Sequence, residues 1–217
     1  MTKPALVLFV KAARQGEVKT RLCPPLTPAQ ACALHRAFAQ DVMSLTTGLP
    51  AHRILATNDI GDPFVTDLAR RAGVPIRLQH PGDLGERMAD VFEALAPAHR
   101  GVVILGGDCP TLPVAHLREA LEQAATRLVV GPAVDGGYVL IGAPRPAPHL
   151  FAGVRWGGPT VLADTLTRAA AARDPVHLLP RWYDVDTEGA LAQLRAHLLL
   201  MPAEVAPATR AALGALG

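Results

Sequence analysis

Three short segments of this chain hold the residue types that could do chemistry. The first is Lys11-Ala-Ala-Arg14-Gln-Gly16-Glu-Val-Lys19-Thr20-Arg21-Leu22, four cations spread around a flexible glycine. Backbone N–H groups beside a glycine, with ammonium and guanidinium partners, suit a di- or triphosphate. The spacing of a Walker loop is absent, and a solvated basic loop is the plain alternative. The second is Val102-Val-Ile-Leu-Gly106-Gly107-Asp108-Cys109-Pro110. A carboxylate directly after an apolar run and two glycines needs a partner. A hard divalent cation, completed by substrate phosphates, is one candidate; capping a helix that begins near Pro113 is the other. Cys109 has no basic neighbour in sequence and reads as a packed residue. The third is Asp184-Val185-Asp186-Thr187. Alternation puts Asp184 and Asp186 on one side of an extended chain, although Asp186 or Thr187 could equally cap the last helix.

Two glycine-bearing stretches accompany them. His80-Pro-Gly82-Asp83-Leu84-Gly85-Glu86-Arg87-Met88 opens a helix, and its glycines allow a ligand close approach to the backbone. Asp135-Gly136-Gly137-Tyr138 has the composition of a tight turn between two strands, which needs no function of its own. The lysines add one more signal. Only Lys3, Lys11 and Lys19 stand among 21 basic residues, the rest being arginine, so Lys11 and Lys19 mark places where a compact ammonium is wanted.

The elements that must position these residues can be read from apolar periodicity. Ala5–Val10 is an unbroken apolar run, as in a strand buried on both faces. Further strands are predicted at His52–Thr57, Pro75–Leu78, Gly101–Leu105, Leu128–Gly131, Tyr138–Ile141 and Val176–Leu179. A helix from Pro28 to about Thr47 is announced by Thr27, Pro28 and Gln30, a capping box with proline at the first position. Other helical patterns cover Phe64–Ala72, Leu84–Leu95, Val114–Ala125, Val161–Ala172 and Glu188–Leu200. Strands alternating with helices predict right-handed crossovers and a mainly parallel sheet, covered on both faces, in a single three-layer α/β/α domain. Ligands then sit outside the carboxyl ends of the strands, where all three chemical segments fall. The domain is predicted to span residues 1–200, with the Ala/Pro-rich residues 201–217 as a loosely packed tail.

Bulk properties exclude several classes. The 217 residues are 50% apolar and 18% charged, a globular composition. A net charge of +2, with no basic run, argues against nucleic acid as the partner. Three cysteines without a C-x-x-C pair argue against a disulfide framework or structural zinc. No signal peptide is read at the N-terminus, and no run reaches about 18 apolar residues, so a cytoplasmic protein without membrane partners is expected. A homodimer is compatible with these properties.

With these motifs in this order, the chain resembles the bacterial DUF2064 family, glycosyltransferase-like proteins with a nucleotide-diphospho-sugar transferase (GT-A-like) fold. The resemblance spans about residues 4–195. It rests on Lys11 with Val18–Leu22, Gly82–Met88, Gly107–Pro110, Asp135–Tyr138, Trp156-Gly157 and Asp184–Thr187. It implies that Asp108 and Asp186 are ligands of Mg²⁺ or Mn²⁺, and that Lys19 and Asp108 are the catalytic residues. Lys11, Lys19, Thr20 and Arg21 would contact phosphates, with Gly82, Asp83, Gly85, Arg87 and Gly107 completing the nucleotide site. Asp135, Gly136, Gly137, Tyr138 and Trp156 would border an acceptor pocket. Two departures stand out: Ala12 follows Lys11 where the family commonly has proline, and Gly158 replaces a common Thr or Ser.

The activity implied is metal-dependent transfer from a nucleotide-activated donor. Glycosyl transfer from a nucleotide sugar to a small acceptor is the leading form. The alternative is nucleotidyl transfer from a triphosphate to a phosphorylated acceptor, which the cations at Lys19 and Arg21 favour because they would stabilise departing pyrophosphate. A non-catalytic nucleotide-binding protein is the third reading, and the intact charged residues argue against it.

Overall fold

The computed structural model describes residues 2–216, and in it strands and helices alternate as the periodicity predicts. The order is β1 (Ala5–Phe9), a long loop, α1 (Pro28–Leu45), β2 (His52–Thr57), α2 (Pro63–Ala72), β3 (Ile76–Leu78), α3 (Leu84–Leu95) and β4 (Val102–Gly106). It continues with α4 (Val114–Gln123), β5 (Leu128–Pro132), β6 (Tyr138–Ala143), α5 (Val161–Ala171), β7 (Val176–Leu178), α6 (Glu188–Leu200) and α7 (Pro207–Gly214). Thr27 and Gln30 form the expected capping box on α1. Asp83 and Glu86 form another on α3. Thr187, not Asp186, caps α6, which leaves the Asp186 carboxylate available elsewhere.

Among the described residues the strands form one seven-stranded sheet, ordered β3-β2-β1-β4-β6-β5-β7. β6 is antiparallel to both neighbours, and the remaining pairs are parallel. That single reversal is the work of the short connection at residues 133–137, since a parallel return needs a crossover of about a dozen residues. β1 and β4 pair in the register Phe9↔Gly106, so the basic loop and Asp108 leave the sheet side by side.

Alternation along β1 and β4 splits the core into two layers. Leu6, Leu8, Val103 and Leu105 pack with residues of α1, α2 and α4 on one face. Ala5, Val7, Val102 and Ile104 pack with α3 and α5 on the other. Leu34 and Phe38 of α1 meet Tyr183, Val185 and the inner face of α6 in a third cluster. Completely burying side chains of this size stabilises by about 1.5–3 kcal/mol each, and here it fastens the Asp184–Asp186 segment to α1. No helix among the described residues is long and apolar enough to cross a membrane.

The chain after Pro202 differs from the loose tail expected. It folds as α7 and packs along α1, adding Ala206, Ala212, Leu213 and Leu216 to the third cluster. The cap of α7 comes from far away in sequence: buried Asp41 of α1 accepts the backbone N–H groups of Ala208 (3.1 Å) and Thr209 (2.7 Å). A carboxylate at a helix N-terminus satisfies free donors and meets the positive end of the dipole. Asp41→Ala is therefore expected to destabilise the protein by about 1–2 kcal/mol. Amide exchange should quicken selectively across residues 207–214. Uniform exchange along the whole chain would mean that α7 is not held by this cap.

Candidate functional site

The loop after β1 is pinned by burial rather than by its cations. Val18 and Leu22 are buried, with Val18 packing on Ala13 and Cys32, and Leu22 on Leu34 and Phe38. Between these two anchors Lys19 adopts a left-handed backbone, φ 50° and ψ 35°. This conformation costs a non-glycine residue on the order of 1 kcal/mol. The side chain consequently turns inward and is only 3% exposed. Its Nζ lies 2.6 Å from Asp108 Oδ1 and 2.6 Å from Asp186 Oδ1. Phe38 closes another side, its ring centre 5.5 Å from Nζ. Thr20 and Arg21 lie in the exposed turn that follows, and Arg14 pairs with Glu17 and Asp59. Lys19 is thus held in an acid pair, while Lys11, whose Nζ donates to the Glu17 carbonyl at 2.7 Å, stays exposed.

Asp108 does not cap α4, whose N-cap is Pro113 without a side-chain bond. Burial opposes its charge, but Lys19 and then His35 outweigh burial and hold the carboxyl well below the ordinary range. The His35 imidazole donates Nε2–H to the Lys11 carbonyl at 2.8 Å, which leaves Nδ1 3.9 Å from Asp108 Oδ1. Burial would likewise lower Lys19, yet Asp108 and Asp186 together hold its ammonium above the usual value. Burial pushes the Cys109 thiol well up, with Asp184 and Asp108 adding to it, so Cys109 is a packed residue and no nucleophile.

The Asp184–Asp186 segment is extended chain rather than the strand continuation considered from sequence, apart from a bridge between Trp182 and Ala133. Val185 N–H donates to the Asp108 carbonyl at 3.0 Å, which brings all three carboxylates to one edge. Tyr183 fixes the segment from behind by accepting from Thr111 (3.1 Å) and meeting His197 Nδ1 (2.9 Å). Asp184 faces a cavity of about 290 Å³, whose wall also includes Lys11, His35, Gln79, Arg87, Gly107, Asp108 and Tyr138. Hollows of about 340 Å³ between α1 and α7, and about 510 Å³ at the amino edge of the sheet, bring together no acids comparable to these.

Burial, with Asp135 and Asp186 adding like charge, pushes the Asp184 carboxyl up to about 6. The folded protein then keeps a proton that the unfolded chain releases above about pH 4. Stability contributed at this position therefore falls as pH rises from about 4 to about 6, and is level above that. Urea melts of wild type and Asp184→Asn should coincide near pH 4, with the variant roughly 1–2 kcal/mol more stable at pH 7, allowing for solvent screening. A difference that does not change with pH would contradict this environment for Asp184.

The glycine-bearing motifs show structural duties. Asp83 caps α3. Gly82 has φ 144°, and a Cβ there would meet the Glu86 carboxylate at 2.2 Å. Gly85 lies under the Trp156 indole, where a Cβ would approach Cζ2 to 2.7 Å. Arg87 Nε donates to the Gly82 carbonyl at 3.0 Å and lines the cavity. Asp135 Oδ1 closes its own turn on Gly137 N–H at 2.9 Å. Tyr138 lines the cavity, edge-on to Trp156 with ring centres 6.5 Å apart. Of the residues singled out from sequence, Lys11, Arg87, Gly107, Asp108 and Tyr138 line one cavity, with Lys19 and Asp186 against Asp108. Thr20, Arg21, Gly82, Asp83, Gly85, Asp135, Gly136, Gly137 and Trp156 stand outside its lining. His35 and Gln79 were not visible as site residues, because a lone histidine in a helix and a glutamine after a strand carry no motif.

The donor set can be tested against a divalent ion. Asp108 Oδ1 and Asp186 Oδ1 converge on one cation position, which the Lys19 ammonium holds. Its N–H is directed at Asp186. Asp108 Oδ1 is buried and, despite the close ion contact, accepts no well-directed hydrogen bond. Two hard carboxylates plus substrate phosphate oxygens are what Mg²⁺ or Mn²⁺ takes, so the donors fit in type and number. Among the described residues no three His, Cys, Asp or Glu side chains form a ready-made metal site.

This three-layer sheet with its carboxyl-edge cavity is the nucleotide-diphospho-sugar transferase (GT-A-like) fold. A crystal structure from Desulfovibrio desulfuricans G20, of a protein named as a candidate nucleotide-diphospho-sugar transferase, is 30% identical, with TM-score 0.87, covering 98% of this chain and 94% of that one. Residues 42–158 match the family described as uncharacterized protein conserved in bacteria (DUF2064), and the chain belongs to that family. Two more distant structures share the fold. One is 4-diphosphocytidyl-2C-methyl-D-erythritol synthase from Anaerococcus prevotii, 10% identical with TM-score 0.59, covering 90% of this chain and 96% of that one. The other is a CMP:2-keto-3-deoxy-manno-octonic acid synthetase complexed with CTP, 13% identical with TM-score 0.56, covering 92% and 99%. Comparison with curated proteins gave no match.

Proposed function

We propose that this chain is a divalent-metal-dependent transferase acting on a nucleotide-activated donor, and that it transfers a glycosyl group from a nucleotide sugar to a small acceptor. The observation that carries the proposal is the convergence of Asp108 and Asp186 on one cation position beside a cavity at the carboxyl edge of the sheet. In this reading the two carboxylates hold Mg²⁺ or Mn²⁺, which when bound neutralises charge on the leaving diphosphate. Lys11 and Arg87 on the cavity wall meet phosphate oxygens, and Gly107 lets the backbone come close to the donor. The Gly82–Arg87 stretch, which opens α3, borders the base and ribose, with Asp135–Tyr138 and Trp156 on the acceptor side. Catalysis is then positioning plus charge neutralisation, without a covalent intermediate.

Glycosyl transfer is preferred to nucleotidyl transfer because the 30%-identical relative is named as a candidate nucleotide-diphospho-sugar transferase. A thermal-shift screen of triphosphates and nucleotide sugars, each with and without Mg²⁺ or Mn²⁺, tests the choice. Ligand at 100 times its dissociation constant adds about 2.7 kcal/mol of stability, a readable shift. A metal-dependent shift with one nucleotide sugar and little with its parent triphosphate is expected. The reverse pattern would replace glycosyl with nucleotidyl transfer, and no shift with any compound would remove the nucleotide site.

A further inference from the structure

Lys19 combines three features that a phosphate-binding lysine on a loop does not need. Its side chain is 3% exposed, its backbone is left-handed, and its ammonium touches both Asp108 and Asp186 at 2.6 Å. Burial of Val18 and Leu22 on either side keeps the loop from releasing it by simple rotation. Two carboxylates whose near oxygens share one contact atom would repel each other strongly if nothing positive stood between them. The ammonium supplies that charge, with the Phe38 ring centre 5.5 Å away. One positive charge against two carboxylates, with Asp184 on the adjoining cavity wall, leaves the position short of cation.

We propose that Lys19 is the resident counter-cation of the acid pair, competing directly with a divalent ion for Asp108 Oδ1 and Asp186 Oδ1. The proposal rests on the reading of those two acids as metal ligands. Its consequence is that the protein alone binds a divalent ion weakly, because the buried Lys19 ammonium must leave both carboxylates before their oxygens become available. Release also changes the chemistry of the loop, since an ammonium freed from the acids is a new cation at the edge of the cavity, next to where donor phosphates would lie. Lys19 is thereby a positioning group for the acids in one state and a phosphate partner in the other.

The test uses wild-type protein without nucleotide, and the chain has only three lysines to follow. Mn²⁺ binding is measured by electron paramagnetic resonance, while lysine acylation rates are read by mass spectrometry. Lys3 and Lys11 are exposed and serve as internal references. Lys19 should label slowest without metal, and saturating Mn²⁺ should raise its rate at least about tenfold, the factor for roughly 1.4 kcal/mol, while leaving the references unchanged. Lys19→Met should bind Mn²⁺ at least about tenfold more tightly than wild type, with its lowered melting temperature recovered by the metal. Mn²⁺ bound while Lys19 stays protected would overturn the competition and leave the acids as ligands. Absence of Mn²⁺ binding in both proteins would overturn the metal reading together with the inference. If Lys19→Met does not fold, the wild-type labelling decides alone.

Discussion

Asp108→Asn should lose metal-dependent nucleotide binding while keeping the fold. The substitution preserves shape and removes the charge that meets the Lys19 ammonium at 2.6 Å. Groups that merely orient a ligand cost 10–100-fold in metal affinity when mutated, so removing a ligand itself should cost at least about a hundredfold. Stability should fall less than the roughly 3–5 kcal/mol for breaking a buried ion pair, since Asp186 remains as a partner of Lys19. Calorimetric titration of nucleotide with and without Mn²⁺ separates the two effects. Wild-type, metal-dependent affinity in Asp108→Asn would sink the assignment of Asp108 as a ligand. An equal loss with and without metal would point instead to collapse of the Lys19 contact.

Gly136→Ala should be the most damaging small substitution in the Asp135–Tyr138 turn. Gly136 has φ 92°, and a Cβ there would stand 2.0 Å from the Pro159 carbonyl oxygen, a backbone atom. The turn cannot retreat easily, because the Gly136 carbonyl accepts from Leu162 N–H at 2.9 Å at the start of α5. Strained backbone and overpacking together are expected to cost about 3–5 kcal/mol, a drop in melting temperature on the order of 10 °C for a chain of this size. Gly137→Ala is the control. A Cβ at that position meets only the Asp135 side chain, at 3.2 Å, and should cost less than about 1 kcal/mol. Equal losses at the two positions would show that glycine composition, rather than the approach to Pro159, governs the turn.

Several features are legible in the sequence because local rules fix them. The apolar runs became β1 and β4, and Thr27 with Gln30 capped α1, since caps and strand patterns depend on neighbours within a few residues. Asp108 fell at a strand's carboxyl end because the glycines and proline around it stop the strand there. Asp184 and Asp186 stand out in sequence as an acid pair, but the strand whose alternation would put them on one side does not form. That one sheet edge would hold acids and cations also followed, because parallel crossovers put the loops after parallel strands at the same edge.

Tertiary structure alone decided what each charge does. Lys19 reads as a phosphate contact from sequence because its neighbours are basic. Its partner Asp186 is 167 positions away, and only the burial of Val18 and Leu22 directs the ammonium inward. Asp41 looks like an ordinary helix residue, yet it caps α7 across the fold and turns an expected tail into part of the packing. His35 becomes a site residue only because α1 crosses behind the first loop. Sequence determines which groups are present and which edge they reach, through rules of short range. Which cation neutralises which acid is settled by burial, because a charge removed from water must take the partner that packing brings to it.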